Sequence, residues 1–352
     1  MAKWIDFPQN ERRALIDNVV KEKNIDETAA EKDWWVTAVL FALFKTSIGP
    51  YTLFKGGTSL SKGWNIIKRF SEDIDIVLDR RYFLEVKELA CAHCLSNTQI
   101  HNLREKSQDF IFGELKEELS SALTTIGLSS AKVLAENEPP EKKDATGKIP
   151  HDKDPSVLLV RYPSLYARKR SYVMPIVKIE ISCLSMTEPF EYKEISSLVR
   201  QVNAPRYGND IDSDLVSTVK TVSPARTFLE KAFLLSEELQ KNNPRTSRMS
   251  RHLYDLEKLS HTGYMSQALS DGKLYLEIIK HRERFYHPGY VDYSKDLPET
   301  ISFVPEGDIL NAFKTDYTQM CRSFIYEENP LSFEELVKRV IHIQELFRDV
   351  PL

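Results

Sequence analysis

Two aspartates sit two apart in the run Arg69-Phe70-Ser71-Glu72-Asp73-Ile74-Asp75-Ile76. On a strand, side chains alternate, so Asp73 and Asp75 project to one face while Ile74 and Ile76 turn into a core. Neighbouring carboxylates repel, and aspartate is a poor strand former. A pair of Mg²⁺ ions resolves that repulsion, because a hard cation takes carboxylate oxygens and shares them with substrate phosphates. The competing reading is a charged strand that faces solvent. A later run, Lys178-Ile179-Glu180-Ile181, sets a lone acid between apolar residues. By itself it reads as the wet side of a half-buried strand. On a neighbouring strand, Glu180 would make a third carboxylate beside the pair, enough to hold two metal ions at a phosphate. Upstream lies Phe54-Lys55-Gly56-Gly57-Thr58-Ser59-Leu60. The two glycines let the backbone approach a bulky anion, the amides opening the next helix favour negative charge, and Thr58 and Ser59 add hydroxyls. A plain strand-to-helix turn is the alternative there.

These residues need elements to carry them. Residues 11–48 have helical composition, and Pro50 ends the run. Residues 51–54 read as a strand, 58–64 as a short helix and 74–78 as the strand bearing the aspartates. Residues 83–136 read as mostly helical, 139–156 as a polar loop, and 157–162 and 176–184 as two more strands. From about residue 211 the character changes. Ser223-Pro224 is a helix start, with Ser as cap and Pro at the first position. Helices are expected near 249–260, 272–282 and 308–325, and Ser332 to Glu335 is a capping box for a last one. The expected fold class is α+β: a domain with a small mixed sheet over residues 1–210, then a mostly helical domain over 211–352.

In this order, the Gly-Gly turn, the Asp-x-Asp pair and the later acid resemble the polymerase-β-like nucleotidyltransferases. Lys55-Gly-Gly-Thr-Ser-Leu60 followed by Arg69-Phe-Ser-Glu-Asp-Ile-Asp75 is similar to one branch, the AbiEii/AbiGii toxins of phage-defence and toxin–antitoxin operons. The resemblance runs on through Ser223 to Lys231 and through Arg251 to Leu256, about residues 50–260 in all. It implies a Mg²⁺-dependent transfer of a nucleoside monophosphate from an NTP, with the NTP between two lobes. Asp73, Asp75 and Glu180 would hold two Mg²⁺ ions, and Gly56, Gly57, Thr58 and Ser59 the triphosphate. Lys231 would neutralise phosphate charge, and Asp255 would position the nucleotide or Lys231. Without the resemblance, Lys231 reads as a snorkelling lysine and Asp255 as a surface acid or a partner of Arg251.

The acceptor implied by the family is RNA, with the acceptor end of tRNA as one known target. Residues 161–178 supply Arg161, Arg168, Lys169, Arg170 and Lys178 with three tyrosines, which suits phosphate contacts and base stacking, or equally NTP binding or a solvated loop. A protein or small-molecule hydroxyl is an alternative acceptor, and an inactive member that binds nucleic acid or an antitoxin is the non-enzyme alternative. A cognate antitoxin encoded nearby is an expected partner. The 352 residues carry a net charge of −4, which argues against a broadly basic nucleic-acid coat. With 41% hydrophobic and 28% charged residues the chain is globular, and no stretch reads as a membrane span or a signal peptide, so a cytoplasmic location is expected. Four cysteines include Cys91-Ala-His-Cys94, where a lone pair gives either a zinc ligand set or ordinary thiols.

Overall fold

The computed structural model describes residues 3–136, 153–166, 174–207 and 210–352. The chain forms two units, Met1–Gly63 with Ser71–Thr221, and Trp64–Phe70 with Val222–Leu352. The first begins with α1 (Gln9–Lys23) and α2 (Glu27–Leu43). The expected single helix is broken between them, because Asn24 takes a left-handed conformation and Asp26 recaps the chain, accepting from the Thr28 amide. Nearly all of α2 is buried, so Trp34 and Trp35 form the centre of the unit with Trp4.

The rest of the first unit is β1 (Thr52–Lys55), α3 (Gly56–Lys62), β2 (Asp73–Leu78), α4 (Arg81–Glu85), α5 (Asn97–Phe110), α6 (Lys116–Thr125), β3 (Lys132–Ala135), β4 (Ser156–Arg161), β5 (Ile176–Ser182), β6 (Phe190–Ile195), α7 (Leu198–Tyr207) and β7 (Ser217–Val222). The strands make one mixed sheet in the order β3-β4-β5-β2-β1-β7-β6. β2 runs parallel to β5 and antiparallel to β1, and β1 runs parallel to β7. The stretch expected to stay helical up to residue 136 ends instead in β3, which pairs with β4 from Lys132↔Arg161 to Ala135↔Leu158. One face of the central strands is apolar, with Phe54, Ile74, Ile76, Ile179 and Ile181 at 0% exposure.

The second unit is helical: α8 (Pro224–Leu239), α9 (Ser250–Ser260), α10 (Gly263–Ser270), α11 (Gly272–Phe285), α12 (Gly307–Ser323) and α13 (Phe333–Leu346). Ser223 caps α8 by accepting from the Ala225 amide, with Pro224 at the first position, and Ser332 caps α13 by accepting from Glu335. Rings join the helices inside: Phe228 and Phe303 pack on Phe347, and Tyr275 stands edge-on to Phe233. The segment Trp64–Phe70 is tied into this unit by backbone bonds, Phe70 N–H donating to Phe324 and Tyr326 N–H to Lys68. Among the described residues, no helix is long and apolar enough to cross a membrane.

Candidate active site

The polar face of the sheet is set by register. Asp75 lies opposite Lys55 on one side and Glu180 on the other, and Asp73 lies opposite Lys178. Opposed residues share a face, so Asp73, Asp75 and Glu180 stand together, with Lys55 and Lys178 among them. All three carboxylates are half-buried. Glu180 is bonded to Lys178, two residues back on the same strand. Burial pulls the Lys178 ammonium down, but the charges and hydrogen bond of Glu180, with Asp73, outweigh it and raise the lysine above its usual value.

The backbone leading to the pair is held from several sides. Glu72 makes an ion pair with buried Lys32 of α2 at 2.7 Å. The Thr58 hydroxyl donates to the Asp73 carbonyl and lies 2.9 Å from the Ser71 hydroxyl. Ser59 donates to the Gly56 carbonyl at 2.9 Å. Thr58 and Ser59 are buried, so in this arrangement their hydroxyls tie the turn together, and what they leave to a ligand is the backbone of the turn.

Gly56 has φ +75°, where a side chain is strained. A Cβ there would also stand 2.0 Å from Asp75 Oδ2. The Asp75 side chain therefore lies directly over the Gly56 backbone, and the turn and the carboxylate pair are parts of one surface. The donors are all carboxylate oxygens, which fits a hard divalent cation. Among the described residues, however, no three His, Cys, Asp or Glu side chains converge as a ready-made metal centre.

A second charged group lies inside the helical unit. Arg69 grips Asp255 with two bonds, Nε to Oδ1 at 2.7 Å and a terminal nitrogen to Oδ2 at 2.8 Å. Lys231 reaches the same Oδ2 at 2.7 Å. Asp255 is 0% exposed and Lys231 only 7%, which corrects the reading of a surface acid and a snorkelling lysine. Burial pushes the Asp255 carboxyl up, but Arg69 and Lys231 overrule it and hold it well below the usual carboxylate range. Burial lowers the Lys231 ammonium, with Asp255 opposing. Neighbouring His252 is driven well below its ordinary value by burial and by the Lys231 and Arg251 charges. Lys231 comes from α8, Asp255 from α9 and Arg69 from the Trp64–Phe70 segment. Arg69 was visible in the sequence only as the first residue of the aspartate motif, and its partner lies 186 positions away.

The profile of the AbiEii family, described as nucleotidyl transferase AbiEii toxin, type IV toxin–antitoxin system, matches residues 38–339. This chain belongs to the AbiEii family. The AbiEii match spans the Gly-Gly turn, the aspartate pair, Glu180, Lys231 and Asp255 in one continuous stretch. An AbiEii protein is a nucleotidyltransferase, and membership of a type IV toxin–antitoxin family implies a nucleotide substrate and a cognate antitoxin. A search of curated proteins gave no match.

The segment expected to touch RNA is only partly in view. Arg168, Lys169 and Arg170 lie outside the described residues, and Arg161 is half-buried at the end of β4. Tyr162 does not offer a stacking surface: it is 7% exposed and stacks on Trp35 at 4.8 Å. Tyr166 is covered by the Arg13 guanidinium. Cys91 lies within a 3-10 turn, Ala90–His93, and Cys94 follows it; neither is in a disulfide.

Proposed function

We propose that the chain is the toxin of a toxin–antitoxin pair that transfers a nucleoside monophosphate from an NTP to RNA, at the acceptor end of tRNA, in defence against phage. The observation that carries the catalytic half is the Asp75↔Glu180 register, which sets the third carboxylate beside the pair. In this reading Asp73, Asp75 and Glu180 hold two Mg²⁺ ions, which supply charge neutralisation at the phosphates and activation of the attacking hydroxyl. Lys178 orients Glu180 through their ion pair. The Gly56-Gly57 backbone receives the triphosphate, and Thr58 and Ser59 fix the shape of that turn. Lys231 brings a positive charge toward phosphate, and Asp255 keeps the lysine placed and charged. Catalysis then comes from positioning and electrostatics, since the transfer needs no covalent group from the protein. The cations at Arg161, Arg168, Lys169 and Arg170 support an RNA acceptor by charge alone.

The test is to incubate the purified protein with total tRNA, Mg²⁺ and each α-labelled NTP in turn, beside the Asp75→Ala variant. Label passing to RNA with the wild type alone is the expected result and names the NTP. NTP binding without labelled RNA would move the acceptor to protein or a small molecule. No Mg²⁺-dependent NTP binding would remove the catalytic reading.

A further inference from the structure

Next to the Gly-Gly turn, Lys55 is held by an unusual amount of structure. Its ammonium donates to Ser185 Oγ at 2.8 Å, Ser185 donates to Ser182 Oγ at 3.0 Å, and Ser182 donates to Asp154 Oδ2 at 2.5 Å. Asp154 also accepts from the Cys183 amide at 3.0 Å. An ammonium can only donate and a carboxylate can only accept, while each hydroxyl has one proton to give. The direction of every bond in this file is thereby fixed, from lysine to aspartate, and the positive end is the end at the sheet face. Ser182 and Ser185 are 3% and 8% exposed, so the file is an internal structure rather than a chance surface contact. Burial raises the Asp154 carboxyl, and the Ser182 and Cys183 donors and the charges of Lys55 and Arg104 oppose that rise.

The ammonium hydrogen-bonds to a hydroxyl at the head of this file. Asp75 lies directly across the β1–β2 ladder from Lys55, yet among the described residues the hydrogen-bond partner of the ammonium is Ser185. Lys55 thus keeps N–H donors for something else, on the same face as Asp73, Asp75 and Glu180 and one residue before Gly56.

We propose that Lys55 is a further substrate-binding residue, whose ammonium contacts the phosphate chain of the bound triphosphate and is held for that purpose by Ser185, Ser182 and Asp154. This rests on the nucleotidyltransferase reading of the same face. Lysine is a flexible point charge, so a fixed stem converts it into a directed one before substrate arrives.

The experiment uses the full-length protein and inorganic tripolyphosphate, which carries the phosphates without a base or sugar. Calorimetric binding in Mg²⁺ is paired with steady-state transfer of label from the NTP. Lys55→Met is expected to weaken tripolyphosphate binding and raise the KM for NTP by about tenfold, with a smaller change in kcat and an unchanged melting temperature. Lys55→Arg is expected to restore most of the affinity. Ser185→Ala, which keeps the charge but frees the stem, is expected to raise KM severalfold. Wild-type affinity and KM in Lys55→Met, with only a lowered melting temperature, would make the file purely structural and overturn the proposal. If that variant does not fold, an unchanged KM in Ser185→Ala overturns it instead. A wild-type protein that binds neither tripolyphosphate nor NTP defeats the catalytic reading itself, an outcome distinct from wild-type binding that Lys55→Met leaves untouched.

Discussion

The tightest approach on the polar face of the sheet is between a glycine and an acid. Because a Cβ at position 56 would stand 2.0 Å from Asp75 Oδ2, Gly56→Ala must move the carboxylate or the turn, and it also forces alanine to φ +75°. The strain is of order 1–3 kcal/mol, small enough for the protein to remain folded. Label transfer is expected to fall by about 10²–10³-fold, as for loss of one transition-state contact, while the far-ultraviolet spectrum is kept. An active Gly56→Ala protein would show that the position of Asp75 does not matter. Asp255 makes a different kind of demand. Asp255→Ala leaves Arg69 and Lys231 buried with no counter-charge, at a cost of about 3–5 kcal/mol. Urea unfolding checks this, and a loss below about 1 kcal/mol would contradict the buried-trio account.

Elements are joined by further buried acids, and one of them sets a pH dependence. Asp296 ends a 3-10 turn, Tyr293–Asp296, and accepts from Ser236 of α8 at 2.6 Å while being 0% exposed. Burial pushes its carboxyl up to about 7 from an ordinary 3.8. The folded protein therefore holds a proton that the unfolded chain has lost between those values. The stability contributed is full below about 3.8 and is lost as pH rises toward about 7. Melting temperatures across that window should fall with rising pH, and Asp296→Asn, which keeps an acceptor for Ser236, should flatten the slope. An unchanged slope would remove Asp296 as its source. At this scale much was legible in the sequence. Alternating Ile and Asp marked β2, the same pattern marked β5, and Ser223-Pro224 marked the start of α8. What stayed hidden was whatever depended on distant pairing. The register that sets Glu180 against Asp75 is a property of two strands about a hundred residues apart, and the burial of Asp255 depends on Arg69. β6, with Glu191, Lys193 and Glu194 in six residues, carries too little apolar signal for an edge strand to be read alone.

For the whole molecule, membership of the AbiEii family and the site geometry give one expectation in cells. Production of the wild-type chain without its antitoxin should halt growth, and Asp75→Ala should relieve the arrest at equal protein level. Growth arrest that persists in the variant would separate toxicity from transfer. The two units are also not two cassettes. The helical unit includes Trp64–Phe70, so a chain ending at Thr221 would carry that segment without Tyr254, Asp255 or Phe324. Such a fragment is expected to be insoluble, and centrifugation after expression tests it. The same threading matters while the protein is being made. Arg69 leaves the ribosome 186 residues before Asp255, a lag of roughly 10–40 seconds at ordinary rates of synthesis. During that interval Arg69 has no counter-charge from Asp255. A half-made toxin, still attached to the translation machinery, therefore lacks the charge cluster of the finished protein until three-quarters of it has been synthesised.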